Sequence, residues 1–277
     1  MPTPPMIAAS MSTFRKSLAS TLLACFAVAC APSGDPQFRR ANPAGEPVAV
    51  SQLAVSGNAC GPAALINSIR FADARWQVAT RVIDGETDRG QLFTIIRRHG
   101  MRPSPHLGGR PRWSRSGVNV IDLADIANEI TTATGLPEIH HEILVLHRNE
   151  TAAQQLARTH RRLETSLARG LPPVLSIRRF ALRKNAAGSG EWTAIDAHFV
   201  TITEVPRRLP RNAESFAVGY IDPWGAHHRT GEIHLAPPSP PATPFPEARF
   251  PQANVGKDQI RPGEKTRLIA SAVIGHW

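Results

Sequence analysis

Three residues of the sequence, Cys60, His198 and Asp222, are of the types that carry out nucleophilic catalysis. A cysteine nucleophile needs its thiolate form, a general base within hydrogen-bond distance and a third group that orients the base. Cys60 is followed by Gly61-Pro62, and proline is favoured in the first turn of a helix because its missing N–H costs nothing there. The sequence therefore predicts a helix that begins directly after Cys60, and the dipole of that helix favours negative charge on the sulfur.

His198 and Asp222 are predicted to lie on neighbouring strands. His198 opens one β-prone apolar run, and Asp222 ends the next. If the two runs form a hairpin in which Val205 faces Ser215, His198 lies directly opposite Asp222, with Cβ atoms about 4.5–5.5 Å apart. At that distance an aspartate can hold an imidazole ring, whereas a shift of one residue would put the two side chains on opposite faces.

Four short segments, in this order, resemble the papain-like cysteine peptidases of the bacteriocin-processing, double-glycine-leader type. They are Asn58-Ala-Cys-Gly-Pro-Ala-Ala-Leu, Gly170-Leu-Pro-Pro-Val, Ala197-His-Phe-Val-Thr and Tyr220-Ile-Asp-Pro-Trp-Gly. The resemblance extends from about Gln52 to about Gly231. It implies a papain-like fold and a thiolate–imidazolium pair of Cys60 and His198, in which Asp222 orients the imidazole ring.

The resemblance also implies an oxyanion site and a reaction. In this family a glutamine upstream of the cysteine joins the cysteine's own backbone N–H in holding the oxyanion. Gln52 matches that role, and Asn58 is the alternative because either side-chain amide can donate. The implied activity is thiol-dependent hydrolysis of peptide or amide bonds in a peptide or protein substrate, with no cofactor.

Other interpretations of the same residues stay open. An acyl or amide transferase with the same nucleophile would pass its acyl group to an amine instead of water. A lipid-anchored binding module could use the papain-like body as a scaffold, because fold similarity does not guarantee activity. Cys60 would then be a small buried apolar residue. A basic module that binds anionic polymers is a further alternative.

The order of predicted elements indicates the fold class. Helices come first and strands follow, which favours an α+β domain with an antiparallel sheet over a doubly wound parallel sheet. The predicted helices cover residues 61–69, 91–99, 118–130 and 150–169. The predicted strands begin at Val174 and cover residues 198–205, 215–222 and 266–275.

The first thirty residues are typical of a bacterial lipoprotein signal peptide. Arg15-Lys16 precedes an apolar stretch that ends in Ala27-Val-Ala-Cys30, a pattern like that of a lipobox. Cys30 is the predicted lipidated residue, with Cys25 as the alternative. The protein would then be exported and held at the membrane of the bacterial cell envelope. Cys60 would be its one free thiol, and no disulfide could form.

One proline-rich segment precedes the predicted domain, and another lies within it. Residues 31–47 are predicted to be a tether, residues 48–277 the peptidase-like domain, and residues 236–251 a surface excursion from that domain. Proline removes a backbone donor and fixes φ, so dense proline argues against a central strand or a helix interior.

Composition narrows the possible partners. The chain has 277 residues, a formal charge of +10 and only 6% aromatic residues. The arginines are scattered and few aromatic rings are available to stack on bases, which argues against nucleic acid binding. No apolar run reaches the roughly 18 residues of a membrane-spanning helix. The histidine groups at 140–141 and 227–228 match no recognised ligand spacing, so we expect no metal.

Overall fold

The computed structural model describes residues 37–184, 186, 188–236 and 243–277. The predicted signal peptide, with Cys25 and Cys30, lies outside the described residues. Asp35–Trp277 forms a compact unit by itself. Among the described helices, none combines the length and the apolar character needed to cross a membrane.

In the described chain the helices, with four short strands among them, come first, and the longer strands follow the last α-helix. The helices are α1 Cys60–Arg70, α2 Ala74–Gln77, α3 Asp88–Thr94, α4 Val120–Thr132 and α5 Ala152–Ala168. The strands are β1 Phe38–Arg40, β2 Trp113–Ser114, β3 Gly117–Val118, β4 His140–Ile143, β5 Val174–Lys184, β6 Gly190–Pro206, β7 Ser215–Asp222, β8 His227–His234, β9 Glu247–Arg249 and β10 Thr266–Gly275. This is the α+β architecture with an antiparallel sheet that the sequence predicted.

All the strands except β2 and β3 belong to one antiparallel sheet of eight strands. Its order is β1-β6-β5-β10-β9-β8-β7, and β4 adds to the side of β10. Strand β7 also pairs with β6. The six strands β6, β5, β10, β9, β8 and β7 therefore form a closed ring of pairings. The two residues that the sequence assigned to catalysis, His198 on β6 and Asp222 on β7, lie on strands joined by this closure.

The central part of the sheet is packed on both faces, and neighbouring residues of a strand point to opposite faces. Phe199 packs in one core cluster with residues of α1, α3 and α4. Val200, the next residue, packs in a second cluster with residues of α5 and the other strands. The catalytic candidates therefore lie on a frame that is fixed from two sides.

Two predicted boundaries are wrong. Part of the expected tether, Phe38–Arg40, is strand β1, which pairs antiparallel with residues Glu204–Pro206 of β6. Within the expected surface excursion, Glu247–Arg249 is strand β9, which pairs with β8 and β10. Each of these strands has only three residues, and the prolines around it favoured an irregular segment in the sequence analysis.

Candidate active site

Helix α1 begins at Cys60 and brings the sulfur to its N-terminal end. Among the described residues, no side chain caps this end. The first amides of a helix have no partner within it, so the amides beside Cys60 can donate to an anion. Pro62, the third residue of α1, needs no partner for a missing N–H at that position. Cys60 is a free cysteine.

Gly61 lets the chain before α4 approach the start of α1. A Cβ on Gly61 would overlap the Val118 side chain and lie 3.3 Å from Leu123 Cδ2. Val118 belongs to β3, and Leu123 to α4. Any larger residue after Cys60 would push these elements away from the nucleophile.

His198 and Asp222 are hydrogen-bonded to each other. His198 Nε2 lies 2.8 Å from Asp222 Oδ1. Both side chains are buried: His198 is 4% exposed and Asp222 is 1% exposed. The pairing that the sequence predicted between these two residues is thus present in the structure.

The predicted register of the two strands is wrong. Thr201 pairs with Ile221, so Asp222 lies opposite Val200 and diagonal to His198. Val205 faces Arg39 of β1 and not Ser215. A shift of two residues keeps His198 and Asp222 on the same face. Diagonal neighbours are about 7–8 Å apart at Cα, which an imidazole and a carboxylate can span.

The third member of the group, Cys60, lies beside the same imidazole ring and, together with Asp222, raises its pKa. Because Nε2 already binds Asp222, the nitrogen that remains for the sulfur is Nδ1. Cys60 is 7% exposed, so the whole group is largely shielded from water. Residues from a helix start and from two strand ends therefore meet at one point.

The charge state of His198 is set by opposing effects. Burial lowers its pKa, but the hydrogen bonds to Asp222 and Cys60 and their negative charges raise it, and the net result is a pKa of about 10. Opposite charges at hydrogen-bond distance favour the charged form of a histidine. His198 is therefore positively charged over the neutral range of pH.

Asp222 is held by further groups that the sequence analysis missed. The Trp224 backbone N–H donates to Asp222 Oδ1 at 2.9 Å. Arg229 Nε lies 3.8 Å from Asp222 Oδ2 and makes no hydrogen bond within the described residues. Arg229 belongs to β8, opposite Tyr220. The sequence of β8 has little apolar alternation, so only its pairing with β7 could have indicated Arg229.

Gln52 lies beside the turn that follows Asp222. Its backbone N–H donates to the Pro223 carbonyl at 2.9 Å. The side chain is 3% exposed, and its Oε1 has no hydrogen-bond partner within the described residues. The unpaired atom is an acceptor that another molecule can satisfy, and only Nε2 of the same amide can donate to an oxyanion.

The segment that carries Gln52 is fixed to the catalytic helix by Asn67. The Asn67 side chain accepts from the Val50 N–H at 2.6 Å and donates to the Val50 carbonyl at 3.2 Å. Asn67 is fully buried on α1. Gln52 is therefore positioned by the same helix that presents Cys60.

Asn58 occupies a different environment from Gln52. Its side chain is exposed, and its backbone is bound to the hairpin of β2 and β3. The Trp113 Nε1–H donates to the Asn58 carbonyl at 3.0 Å, and the Asn58 N–H donates to the Arg115 carbonyl at 3.1 Å. This hairpin, residues 113–118, forms a wall next to the start of α1.

An apolar groove of about 390 Å³ lies between the start of α4 and strands β5 and β10. Its apolar lining includes Ile121, Phe180, Phe245 and Ile269. Asn119, directly before α4, also lines it. The groove can take one or two apolar side chains.

One group within the described part of the chain has the spacing of a metal site. The ligand atoms of His106, Asp122 and Asp125 lie within 4.8 Å of one another. However, Asp122 already accepts from the Ser104 hydroxyl at 2.8 Å and from the Asn119 amide, and His106 Nε2 lies 2.9 Å from Asp125 Oδ2. These contacts fix the start of α4 and satisfy the side chains without an ion.

Comparisons with known proteins do not place this chain in a family. No protein-family model matches it, and no curated protein matches it either. The assignment of a function therefore depends on the geometry of the site.

Proposed function

We propose that this protein is a thiol-dependent hydrolase of papain-like architecture that cleaves peptide or amide bonds. Cys60 is the nucleophile, His198 the general acid and base, and Asp222 the residue that orients the imidazole. The observation that carries the proposal is the buried His198 ring, which is hydrogen-bonded to Asp222 and whose pKa is raised by both Asp222 and the adjacent Cys60.

Energetics support a catalytic role over a purely structural one. A buried ion pair is often no more stabilising than well-packed apolar residues of the same volume, because both charges lose their hydration. Burying a charged histidine beside a cysteine and an aspartate therefore costs desolvation free energy that apolar residues at the same positions would not cost. The same arrangement is what a thiolate nucleophile requires.

In the first half of the reaction the Cys60 sulfur attacks the substrate carbonyl carbon. The C–S bond forms, and the electron pair of the carbonyl moves to its oxygen. The N–H of Cys60 and the Gln52 side-chain amide are the proposed donors to this oxyanion. His198 then gives its Nδ1 proton to the amine nitrogen, the C–N bond breaks, and a thioester remains on Cys60.

In the second half water releases the acyl group. His198, now neutral, takes a proton from the water, and the resulting hydroxide attacks the thioester carbonyl. The C–S bond breaks and Cys60 leaves as a thiolate beside protonated His198. Asp222 keeps the ring in one orientation throughout, because its Oδ1 is fixed by the Trp224 N–H as well.

The apolar groove supports a substrate with an apolar side chain near the scissile bond. Asn119 lines this groove and directly follows Val118, which lies against Gly61, the residue after Cys60. The segment Val118–Asn119 therefore contacts the residue after the nucleophile on one side and lines the groove on the other.

The test is labelling and turnover by a chain of Asp35–Trp277, in which Cys60 is the only cysteine. We expect a thiol-directed probe to add one mass increment to the parent chain and none to Cys60→Ala. Incubation with a mixture of peptides should give new termini with the parent chain and with the matched control His227→Gln, but not with Cys60→Ala. Undiminished turnover by Cys60→Ala would refute the mechanism.

Product analysis separates the alternatives. Transfer of the acyl group to an added amine in preference to water would assign a transferase with the same nucleophile. A Cys60 that resists alkylation, together with no turnover, would instead favour a binding module on this scaffold.

We also propose that the protein is exported and anchored to the membrane of the bacterial cell envelope through lipid on Cys30. The support is the sequence of residues 1–30. Mass spectrometry of the mature N-terminus should find diacylglycerol on Cys30 and its loss in Cys30→Ser. Lipid on Cys25 would move the anchor, and an unmodified N-terminus would refute it.

A further inference from the structure

A second groove, unrelated to the catalytic group, lies where the described chain begins. It has a volume of about 560 Å³ and is formed by the start of β1 and the loop between β6 and β7. Phe38, Leu209 and Phe216 give it apolar walls, and Arg207 and Arg208 belong to its lining as well. An apolar groove with guanidinium groups suits a ligand that has an anionic head and an apolar body.

The arginines of this loop carry positive charge that is not neutralised within the described residues. Arg207, Arg208 and Arg211 are exposed, and no carboxylate of the described chain pairs with them. In contrast, Arg39 on β1 is paired with Glu164. Between Pro206 and Ser215 the sequence contains three arginines and one carboxylate, Glu214.

The loop is fastened to the start of the described chain. The Arg207 N–H donates to the Gln37 carbonyl at 2.8 Å, and the Arg207 Nε–H donates to the Phe38 carbonyl at 3.2 Å. Gln37 follows the proposed lipidated residue, Cys30, by seven positions. Seven extended residues span at most about 25 Å, so an anchor at Cys30 would keep the groove close to the bilayer surface.

We propose that this groove, which we call the arginine groove, binds the phosphate headgroup of an anionic phospholipid. Arg207 and Arg208 contact the phosphate, while Phe38 and Leu209 contact the glycerol and the first acyl carbons. The proximity argument rests on the lipid anchor proposed above. The few aromatic rings here are buried or half-buried, which disfavours single-stranded nucleic acid because its bases need exposed rings to stack on.

Binding to an anionic headgroup would have a consequence for orientation. A lipid anchor is a single attachment that does not specify which face of the domain meets the membrane, whereas a second contact at the groove fixes one face toward it. Each arginine near an anionic surface changes the binding constant about fivefold, so the three together account for about a hundredfold.

The test uses Asp35–Trp277 with Cys60→Ala, which has neither the anchor nor the nucleophile, so its outcome does not depend on the proposed hydrolase activity. This segment is a compact unit that contains all the described core residues. Co-sedimentation is measured with phosphatidylcholine vesicles and with vesicles that also contain phosphatidylglycerol. We expect binding only to the second kind, and a loss of about a hundredfold in R207Q/R208Q/R211Q.

The matched control, R81Q/R110Q/R148Q, removes the same charge from exposed positions outside the groove. It should bind as the parent does, and thermal unfolding should show that both variants are folded. Equal losses in the two variants would overturn the proposal in favour of diffuse attraction by net charge. Equal affinity for soluble glycerol phosphate, or tighter binding of a single-stranded oligonucleotide through the same arginines, would overturn it as well.

Discussion

His198 is a buried base whose positive charge is stabilised from two sides. Without Asp222 and Cys60, burial alone would drive the ring to its neutral form. The hydrogen bond from His198 Nε2 to Asp222 fixes the orientation of the ring. The ring cannot rotate away from the sulfur without breaking this 2.8 Å contact. The chemistry therefore depends on a charge that the fold maintains.

The pH dependence of activity should follow the pKa of His198. Its pKa is raised to about 10, so the imidazolium that protonates the leaving amine is lost only as the pH rises through that value. Asp222→Asn keeps an acceptor but removes the charge, and we expect the alkaline limb of kcat/KM to move down by about 1–3 pH units. The control Asp258→Asn, at an exposed position, should leave the limb in place.

The raised pKa of His198 also determines how the stability of the protein changes with pH. A group whose pKa is raised on folding stabilises the protein fully below its unfolded pKa, here 6.5, and this stabilisation is lost as the pH rises through the folded value. Urea unfolding at increasing pH should show this loss in the parent and a smaller one in Asp222→Asn.

For the activity profile, an alkaline limb of kcat/KM that does not move in Asp222→Asn would contradict the assigned role of the carboxylate.

The oxyanion donor can be identified by comparing the two amide residues. Gln52 is buried beside the Asp222 turn, whereas Asn58 is exposed and bound through its backbone to the hairpin. We expect Gln52→Ala to lower kcat by about 10²–10³, the cost of removing one oxyanion donor. Asn58→Ala should leave kcat unchanged. The reverse result would assign the donor to Asn58, and an effect of Gln52→Ala on KM alone would exclude an oxyanion role.

The hairpin of β2 and β3 packs against the start of α1, next to Cys60. It holds Asn58 by two hydrogen bonds, one from Trp113 and one to Arg115. It also brings Val118 against Gly61. Because Cys60 is only 7% exposed, we expect this hairpin to move before a substrate reaches the sulfur.

Loosening the hairpin should therefore expose the sulfur. Trp113→Phe keeps most of the packing but removes the 3.0 Å hydrogen bond to the Asn58 carbonyl. One hydrogen bond contributes about 1 kcal/mol, so we expect alkylation of Cys60 to be about fivefold faster. The control is Trp277→Phe, which lies beside His140 on β4. Equal labelling rates in all three proteins would show that the hairpin does not limit access.

The elements that the sequence predicted well are those with one strong pattern. Strands β7 and β10 have the predicted bounds, because each is a β-prone run that is largely buried in the structure. Strands β4 and β8 were missed because they are rich in histidine and carry few apolar residues. The sequence contains no signal for β9, whose three residues pair only in the folded sheet.

The site was easier to predict than its geometry. The segments around Cys60, His198 and Asp222 could be recognised by residue type and order. Their register could not, since the β6–β7 pairing shifts between Ile202 and Glu204, and the sequence shows no such irregularity. The shift of two residues preserved the face, and so the pairing of His198 with Asp222 was predicted correctly from a wrong register.

Strand β6 is the element that links the N-terminal strand β1 to the catalytic group. It pairs with β5 and β1 and also with β7, and it carries His198. The Thr201 hydroxyl donates to the Ala64 carbonyl of α1 at 2.8 Å, which fixes the helix of Cys60 to the strand of His198. A change at one end of β6 can thus affect stability without altering the reacting atoms at the other.

Strand β1 offers a test of that separation. A chain that begins at Val48 lacks the pairing of β1 with β6 and the hydrogen bonds of Gln37, Phe38 and Ala41 to the β6 region. It also lacks the ion pairs of Arg39 with Glu164 and of Arg40 with Glu204. At about 1 kcal/mol for each hydrogen bond and less for each exposed ion pair, its free energy of unfolding should be lower than that of Asp35–Trp277 by at least about 3 kcal/mol. Urea unfolding measures the difference.

The catalytic rate should not follow this loss of stability. Under conditions where both chains are folded we expect the same kcat, because Cys60, His198 and Asp222 all lie outside the removed segment. Equal unfolding free energies would mean that residues 37–47 act only as a tether, as their composition suggested. A fall in kcat with unchanged stability would instead mean that β1 positions His198 through β6.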